Sequence, residues 1–440
     1  MVVTGMLTPD QNQLLCRVQG DAPMGGIMRR HWLPVCMSEE VAEPDGKPVR
    51  SRLLGEDLVV FRDSQNRLGV LGEYCLHRRA SLAFGRNEEC GLRCLYHGWK
   101  FDVEGNVLDM PSEAPGAAQR LGKKTQAYPV REGGGFVWAW MGRKETSERD
   151  PQGQREFEPP AWAPVSGIQY AIVKMHAACN WAQVLEGSID SAHSSSLHST
   201  NMPAAEGVYG STATDSAWLR PSNDKAPRLQ FDATDYGFRY AAIRKPIRNA
   251  ETDQYVRTTL FLAPFTVLIP PNNQYNLAQM LVPIDDVNTM FYWIAWHPDP
   301  AKGIGQQAWR RFCAAEVGVD LDRDYRKKRN LANDYLQDRE AMKRGDWTGI
   351  TGIPAQDMAM WESMGPITER SEDHFGSSDL AVAQFRRMMV AAVKQFQDSG
   401  HAIGAQKSVR YVDLASFEGV VPKTVDWRTL GVHHRSEETA

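Results

Sequence analysis

After Val49 the chain runs in short β-like stretches, Asp57–Phe61, Asn66–Leu71, Gly98–Phe101 and Gly135–Trp140, broken by Gly, Asn and Asp turn signals. This pattern predicts a small all-β domain. Arg143–Pro164 is charged, contains proline and lacks periodicity, so it reads as a connector, with a second domain beginning near Ser166. There Tyr236–Arg244, Gln254–Leu268 and Met290–Trp296 alternate as strands of one antiparallel sheet. Gln306–Arg344 and Asp379–Ser399 are long, charged and helically spaced, and Asn180–His193 also suits a helix. The expected fold class is α+β. Residues 1–45 form a segment packing on the core, 46–150 the all-β domain and 151–440 a mixed domain, with His433–Ala440 as a loose polar tail.

The length of 440 residues suits two or three folded units with sizeable cores. Apolar residues at 42%, charged residues at 24% and a net charge of −4 are ordinary for a globular protein, so disorder and a nucleic-acid partner are not expected. No apolar stretch reaches the ~18 residues of a spanning helix: Phe261–Ile269 is interrupted by Pro264, and Phe136–Met141 is short. Met1–Gly5 lacks the basic start and apolar core of a secretory signal, which leaves the cytoplasm as the expected location and gives no membrane partner.

Seven cysteines, an odd number spread over a long chain, suit reduced thiols and metal ligation better than a disulfide framework. Cys16, Cys36, Cys179 and Cys313 are not followed at short range by a histidine and read as buried thiols. Cys75-Leu76-His77 and, after Arg78–Arg93, Cys94-Leu95-Tyr96-His97-Gly98-Trp99 place two Cys-His pairs on two nearby loops. Two thiolates and two imidazoles suit tetrahedral zinc, and they also suit a cluster whose cysteines hold one iron and whose histidines hold the other. Zinc sites more often pair like with like, whereas here each loop supplies one of each, which fits a loop feeding both irons. Cys90 lies close by, but no histidine follows it at the same spacing.

A second constellation runs from Asn180 through Glu186 and Asp190 to His193 and His198. At about 100° per residue, His193 and His198 diverge by roughly 140° on a straight helix, so both face one metal only if the helix breaks between them. Ser194–Ser196 permit that break. Two imidazoles and one carboxylate, with open adjacent positions, are what ferrous oxygen activation requires. The acid must come from elsewhere, and composition alone does not choose among Asp357, Glu362 and Asp373.

Cys75-x-His77 with Cys94-x-x-His97-Gly98-Trp99 resembles the motif of the Rieske iron-sulfur family. Asp190-x-x-His193-x-x-x-x-His198 is similar to the matching segment of Rieske non-heme iron oxygenase catalytic domains. The resemblance extends from Pro23-Met24-Gly25 to the C-terminal helix and points to the homo-oligomeric, α-only branch that includes the phthalate dioxygenases. It implies an N-terminal all-β Rieske domain and a catalytic domain whose antiparallel sheet is flanked by helices, a helix-grip or START-like fold. It implies one [2Fe-2S] cluster on Cys75, His77, Cys94 and His97, and one mononuclear Fe(II) on His193, His198 and Asp357, which only the resemblance selects. Asp190 is implied to link the cluster of one subunit, through His97, to His193 of its neighbour. It implies dioxygen as the cosubstrate and NAD(P)H acting through a separate flavin and iron-sulfur reductase, for which no motif is visible in this chain. Substrates of the branch are mostly aromatic carboxylates, cis-dihydroxylated on the ring; monooxygenation or demethylation on the same metals is one alternative, and a zinc-stabilised binding protein without catalysis a more distant one. Ser194, Arg220 and Arg257 resemble the positions that bind substrate carboxylates, Arg257 with Thr259 and Phe261 on one face of a predicted strand; Arg244 is a rival. The expected assembly is a trimer or a dimer of trimers.

Overall fold

The computed structural model of the chain describes residues 5–142, 154–160, 162, 168–205, 218–271, 275–297, 299, 301, 303–405 and 410–431. The domain start expected near Ser166, the tail His433–Ala440 and most of the connector Arg143–Pro164 lie outside the described residues. Two compact units emerge, Val18–Phe157 and a second made of Met1–Arg17 with Glu158–Ala440, so the segment expected at 1–45 is shared between them. Helix α1 (Pro9–Cys16), started by a capping box of Thr8 and Gln11, belongs to the second unit.

The Val18–Phe157 unit holds the short helices α2 (Pro23–Met28) and α3 (Ala117–Leu121) and three small antiparallel sheets. Its strands are β1 (Trp32–Met37), β2 (Val49–Leu53), β3 (Glu56–Arg62), β4 (Leu68–Gly72), β5 (Arg86–Glu88), β6 (Gly91–Arg93), β7 (Lys100–Phe101), β8 (Val107–Asp109), β9 (Val130–Gly133) and β10 (Phe136–Trp140). The sheets run β1-β10-β9, β2-β3-β4 and β5-β6-β7-β8. Glu89 and Cys90, at φ 46° and 61°, make the two-residue turn between β5 and β6, a left-handed pair matched to strand twist. Val59, Phe61, Leu71, Leu92 and Phe101 form a core that includes Cys75 and Cys94.

In the second unit one antiparallel sheet contains β11 (Gln169–Ala177), β12 (Arg228–Thr234), β13 (Gly237–Arg244), β14 (Asp253–Leu262), β15 (Thr266–Ile269), β16 (Asn276–Pro283), β17 (Thr289–His297) and β18 (Phe417–Pro422). Its order is β11-β17-β16-β15-β14-β13-β12, with β18 pairing the first half of β14 beside β15. The single run expected over Gln254–Leu268 is two strands, because Ala263-Pro264 turns the chain between β14 and β15. The helices are α4 (Trp181–Ser188), α5 (Gln306–Phe312), α6 (Arg339–Lys343), α7 (Ile353–Ser363) and α8 (Leu380–Ser399). Phe385 of α8 packs edge-on against Phe261 of β14 at 5.3 Å and against Trp181 of α4 at 6.0 Å, which joins sheet and helices in one core.

Two helical expectations are corrected. Gln306–Arg344 is helical only over α5, a 3-10 turn at Leu331–Leu336 and α6. Asp322 takes the backbone N–H groups of Asp324 and Arg326 at 2.8 and 2.9 Å, and Asn330 takes that of Ala332 at 3.0 Å, so side chains compete with the helical ladder. Asn180–His193 stops being helical after Ser188, where Tyr240 claims the carbonyl of Ile189 and Asp190 the N–H of Ala192, at 2.6 and 2.7 Å.

Helix α4 is anchored at both ends. Asn180 caps Ala182 N–H at 3.0 Å and sends its amide to the carbonyls of Cys16 and Asp286 at 2.9 and 2.7 Å. Glu186, buried, accepts from Arg370 and Arg386, each at 2.8 Å, while Arg386 also reaches Asp373 at 2.7 Å. Burial opposes ionisation of Glu186, but the two guanidiniums outweigh it and hold the carboxyl below its ordinary value of 4.5. A depressed folded value means that this stabilisation is complete above the ordinary value and is lost as the pH falls toward the folded one. Glu186→Gln leaves the buried Arg370 without its carboxylate, while Arg386 keeps Asp373, and is expected to cost about 3–5 kcal/mol, read as a lower chemical-denaturation midpoint; an unchanged midpoint would show that the Glu186 charge is not needed to hold the buried guanidiniums.

Candidate metal centres

Two loops of the Val18–Phe157 unit fold alike. In one, Cys75 N–H donates to Ala80 O and Arg79 N–H to Cys75 O, both at 2.9 Å; in the other, Cys94 N–H donates to Trp99 O at 2.8 Å and Gly98 N–H to Cys94 O at 3.0 Å. The residue before each closure is left-handed, Arg79 at φ 60° and Gly98 at φ 74°. Gly98 is required there, since a Cβ would lie 2.5 Å from Pro111. Arg93 braces the second loop by donating to Gly98 O at 2.8 Å.

The loops bring Cys75, His77, Cys94 and His97 together. Both cysteines are buried, with their thiols in hydrogen-bond contact, while the half-buried imidazoles have centroids 4.5 Å apart. Burial pushes the Cys75 thiol up to about 11, helped by Cys94 and opposed by the N–H groups of His77 and Arg78 that point at its sulfur. Two adjacent buried thiols ionise readily only against a cation. His77 stacks on Trp99 at 4.8 Å, and its Nδ1 is buried without a hydrogen-bond partner. Sulfurs inside, imidazoles outside and an unpaired ring nitrogen fit a two-iron cluster with distinct ligand pairs. Cys90 stays in its hairpin turn; Cys16, Cys36, Cys179 and Cys313 are buried elsewhere.

In the second unit, the break between His193 and His198 is a 3-10 turn at His193–Ser195. It lets both imidazoles face Asp357 of α7: the two Nε2 atoms are 3.2 Å apart, and Asp357 Oδ1 lies 3.4 Å from His193 Nε2 and 3.0 Å from His198 Nε2. Three ligands held at right angles at about 2.1 Å from a metal stand about 3 Å from one another. The rivals of Asp357 are engaged elsewhere. Glu362 takes Lys327 at 2.7 Å, Ala178 N–H at 2.9 Å and the Tyr335 hydroxyl, and Asp373 takes Arg386.

Hydrogen bonds behind the rings decide which nitrogen is free. The Gln356 amide nitrogen donates to Ile350 O and Asn201 Oδ1, both at 2.9 Å; a carbonyl only accepts, so the amide oxygen must face His198. His198 Nδ1, at 2.8 Å from that oxygen, therefore carries the proton and leaves Nε2 a bare lone pair. Asp190, 3.5 Å from His193 Nδ1, imposes the same choice on His193. Asp357 Oδ1 is buried with no hydrogen-bond donor. Burial works against a charged His193, yet Asp190 and Asp357 raise it to about 10; burial works against a charged Asp357, yet the two histidines lower it to about 2. The pocket favours positive charge among three converging lone pairs, which fits a divalent metal. Gln356 was not anticipated: nothing in a residue beside Asp357 announces a contact with a histidine 158 positions away.

These three residues open onto a cleft of about 560 Å³, including its mouth, lined also by Asp190, Ser194, Arg257, Thr259 and Trp293. Arg257 is buried and has Glu418 Oε1 at 3.3 Å and the Tyr255 hydroxyl at 3.4 Å among its partners. Glu418, on β18, was also not anticipated. Arg220 is not brought to the cleft wall: its guanidinium lies behind the turn, donating to Ser194 Oγ at 3.0 Å and Ser195 Oγ at 2.9 Å. Arg244 likewise lies behind it, on Ser191.

Comparison with known proteins identifies the family. The Rieske [2Fe-2S] domain family matches residues 31–129, and the family described as LigXa C-terminal domain like matches residues 139–440. The chain is 57% identical to the phthalate 4,5-dioxygenase oxygenase subunit of Pseudomonas putida over 96% of this chain and 94% of that one. It is 35% identical to the 3-chlorobenzoate-3,4-dioxygenase oxygenase subunit of Comamonas testosteroni over 96% and 97%. A solved structure of NdmA from Pseudomonas putida CBB5, a QL mutant with caffeine, covers 87% of this chain and 96% of its own with a TM-score of 0.56; at 17% identity it speaks for the fold alone. Taken together, the Rieske domain, the matched C-terminal domain and these relatives establish that the chain belongs to the Rieske non-heme iron oxygenases, as an oxygenase subunit that works with a [2Fe-2S] cluster, a mononuclear iron and dioxygen.

Proposed function

We propose that this oxygenase subunit cis-dihydroxylates the ring of an aromatic carboxylate, in the class of phthalate, isophthalate and substituted benzoates. As an oxygenase subunit it receives electrons from a separate reductase, which we take to be a flavin and iron-sulfur protein oxidising NAD(P)H. The observation that carries the substrate class is Arg257, a buried guanidinium on the wall of the cleft onto which His193, His198 and Asp357 open. An aromatic acid needs an apolar slot with one placed cation, and Trp293 with Ile269 supplies the slot. Ser194 meets the carboxylate beside Arg257, and Arg220 stands one hydrogen bond behind Ser194. The 57% identity to a phthalate 4,5-dioxygenase oxygenase subunit supports the same class.

In this reading residues 46–150 are the cluster domain, on Cys75, His77, Cys94 and His97, and residues 151–440 the catalytic domain, on His193, His198 and Asp357. When bound, the two metal groups supply electron storage and dioxygen activation. The protein's own residues orient and exclude. Gln356 and Asp190 keep each ligating ring in the tautomer that presents Nε2. Asp190 also accepts from His97 of the partner subunit, which joins the centres across a homotrimer or a dimer of trimers. Among the described residues no helix is long and apolar enough to cross a membrane, and we place the enzyme in the cytoplasm.

A panel of benzene carboxylates with a compatible reductase tests the reaction. Oxygen uptake should follow phthalate-type acids, with both atoms of dioxygen in a cis-dihydrodiol; one atom incorporated, or a demethylated product, would turn the reading to a monooxygenase. Arg257→Met should weaken the accepted acid by about 2–5 kcal/mol through loss of a buried ion contact. Unchanged affinity would return Arg257 to a purely structural pairing with Glu418.

The ligand sets and the bridge are tested together. Cys94→Ser should abolish the cluster's visible absorption, and His198→Ala should empty the mononuclear site while leaving the cluster intact. Asp190→Asn, which replaces an acceptor-only carboxylate with a group that also donates, should retain both metals. Its pre-reduced cluster should then reoxidise orders of magnitude more slowly on rapid mixing with substrate and oxygen. Wild-type reoxidation at full iron content would remove Asp190 from the path.

A further inference from the structure

The segment that carries His193 crosses one face of β13, and that strand grips it. Tyr240 donates its hydroxyl to Ile189 O at 2.6 Å. Four residues on, and on the same face, Arg244 donates Nη2 to Ser191 O at 2.7 Å and to Ser195 Oγ at 3.4 Å, and Nη1 to Ser191 Oγ at 3.2 Å. Arg220 reaches the same turn, with Nη1 to Ser195 Oγ at 2.9 Å and Nη2 to Ser194 Oγ and O at 3.0 and 3.3 Å. Ser195 Oγ is shared by both guanidiniums. His193 sits between the clamped residues.

Arg244 and Arg220 are 2% and 4% exposed, and the Nε of each is buried without a hydrogen-bond partner. Burial and the nearby Arg257 disfavour both charges, and Arg220 adds to this at Arg244, which is brought down to about 10. Burying two guanidiniums behind one turn on neutral serine partners is costly for folding. The turn itself explains the arrangement. Ser191, Ser194, Ser195 and Ser196 offer hydroxyls that compete with backbone bonding, and the 3-10 turn has no side-chain cap, so the sequence alone does not fix where His193 points.

We propose that Arg244 is a positioning residue of the mononuclear iron site. With Arg220 it locks Ser191–Ser195, so that His193 Nε2 stays aimed at the point shared by His198 Nε2 and Asp357 Oδ1. This rests on the assignment of those three residues as iron ligands. Arginine is needed because one planar fork spans Ser191 and Ser195, a reach that a lysine ammonium does not reproduce.

The test uses protein carrying its oxidised, diamagnetic cluster, stripped of mononuclear iron and dialysed against graded Co(II). Bound metal and the high-spin Co(II) paramagnetic signal are the readouts. Arg244→Met and Arg244→Lys should bind Co(II) about 10–100-fold more weakly than wild type, with an altered signal and unchanged cluster absorption. In Arg244→Ala, added methylguanidinium should restore affinity toward wild type. If the Arg244 variants do not fold, Ser195→Ala, which removes the shared hydroxyl, should still weaken Co(II) about tenfold. Wild-type Co(II) affinity and signal in the folded variants overturn the proposal, as does a loss that methylguanidinium leaves unrepaired. Equal Co(II) binding by wild type and His198→Ala would instead remove the iron assignment, and this inference with it.

Discussion

Three electron-pair donors that repel one another, His193 Nε2, His198 Nε2 and Asp357 Oδ1, are held 3.0 to 3.4 Å apart. Left to themselves they would separate or take protons. Much of the second unit can be understood as the frame that prevents this. Gln356 and Asp190 fix the ring tautomers, Tyr240 and the arginines fix the turn, and each donor is then carried by an element that is itself tied down.

The ties are polar, buried and long in range. Glu186 binds α4 to α8 and to Arg370, which in turn reaches Asn12 of α1 at 2.8 Å. Glu362 holds α7 through Lys327 and through Ala178 beside β11. Gly187 lets the two helices close on each other, since a Cβ there would lie 2.0 Å from Trp361 Nε1. Buried charges of this kind add little net stability compared with apolar packing, but they penalise every arrangement in which one partner is left alone. A site of converging lone pairs needs that kind of specificity more than it needs a larger core.

What was legible in the sequence follows from where the causes lie. Cys75, His77, Cys94 and His97 could be read because each pair lies within one short loop, and the need for a helix break between His193 and His198 follows from helix geometry alone. The strands from Tyr236 onward and the helix at α8 could be read because their periodicity is local. The Gln306–Arg344 stretch misled because Asp322 and Asn330 bind their own backbone, a competition that helical spacing does not register. Gln356, Glu418 and the grip of Arg244 on Ser191 were invisible for a different reason. Each acts across 53 or more positions of chain, and no pattern in a single sequence encodes which partner a lone polar residue will meet.

The Cys-His loops have one more implication, which concerns direction. Their sulfurs sit under Leu71, Leu82, Leu92 and Phe101, while the imidazoles lie toward solvent. With the cluster on the proposed ligands, the wall behind the sulfurs would be aliphatic and aromatic packing, and the imidazole pole the edge nearest solvent. On the proposed ligand set, a donor protein and an acceptor site that both need a short path would then share that pole. On that reading the domain would be a terminal with a single contact, where charging and discharging share one doorway.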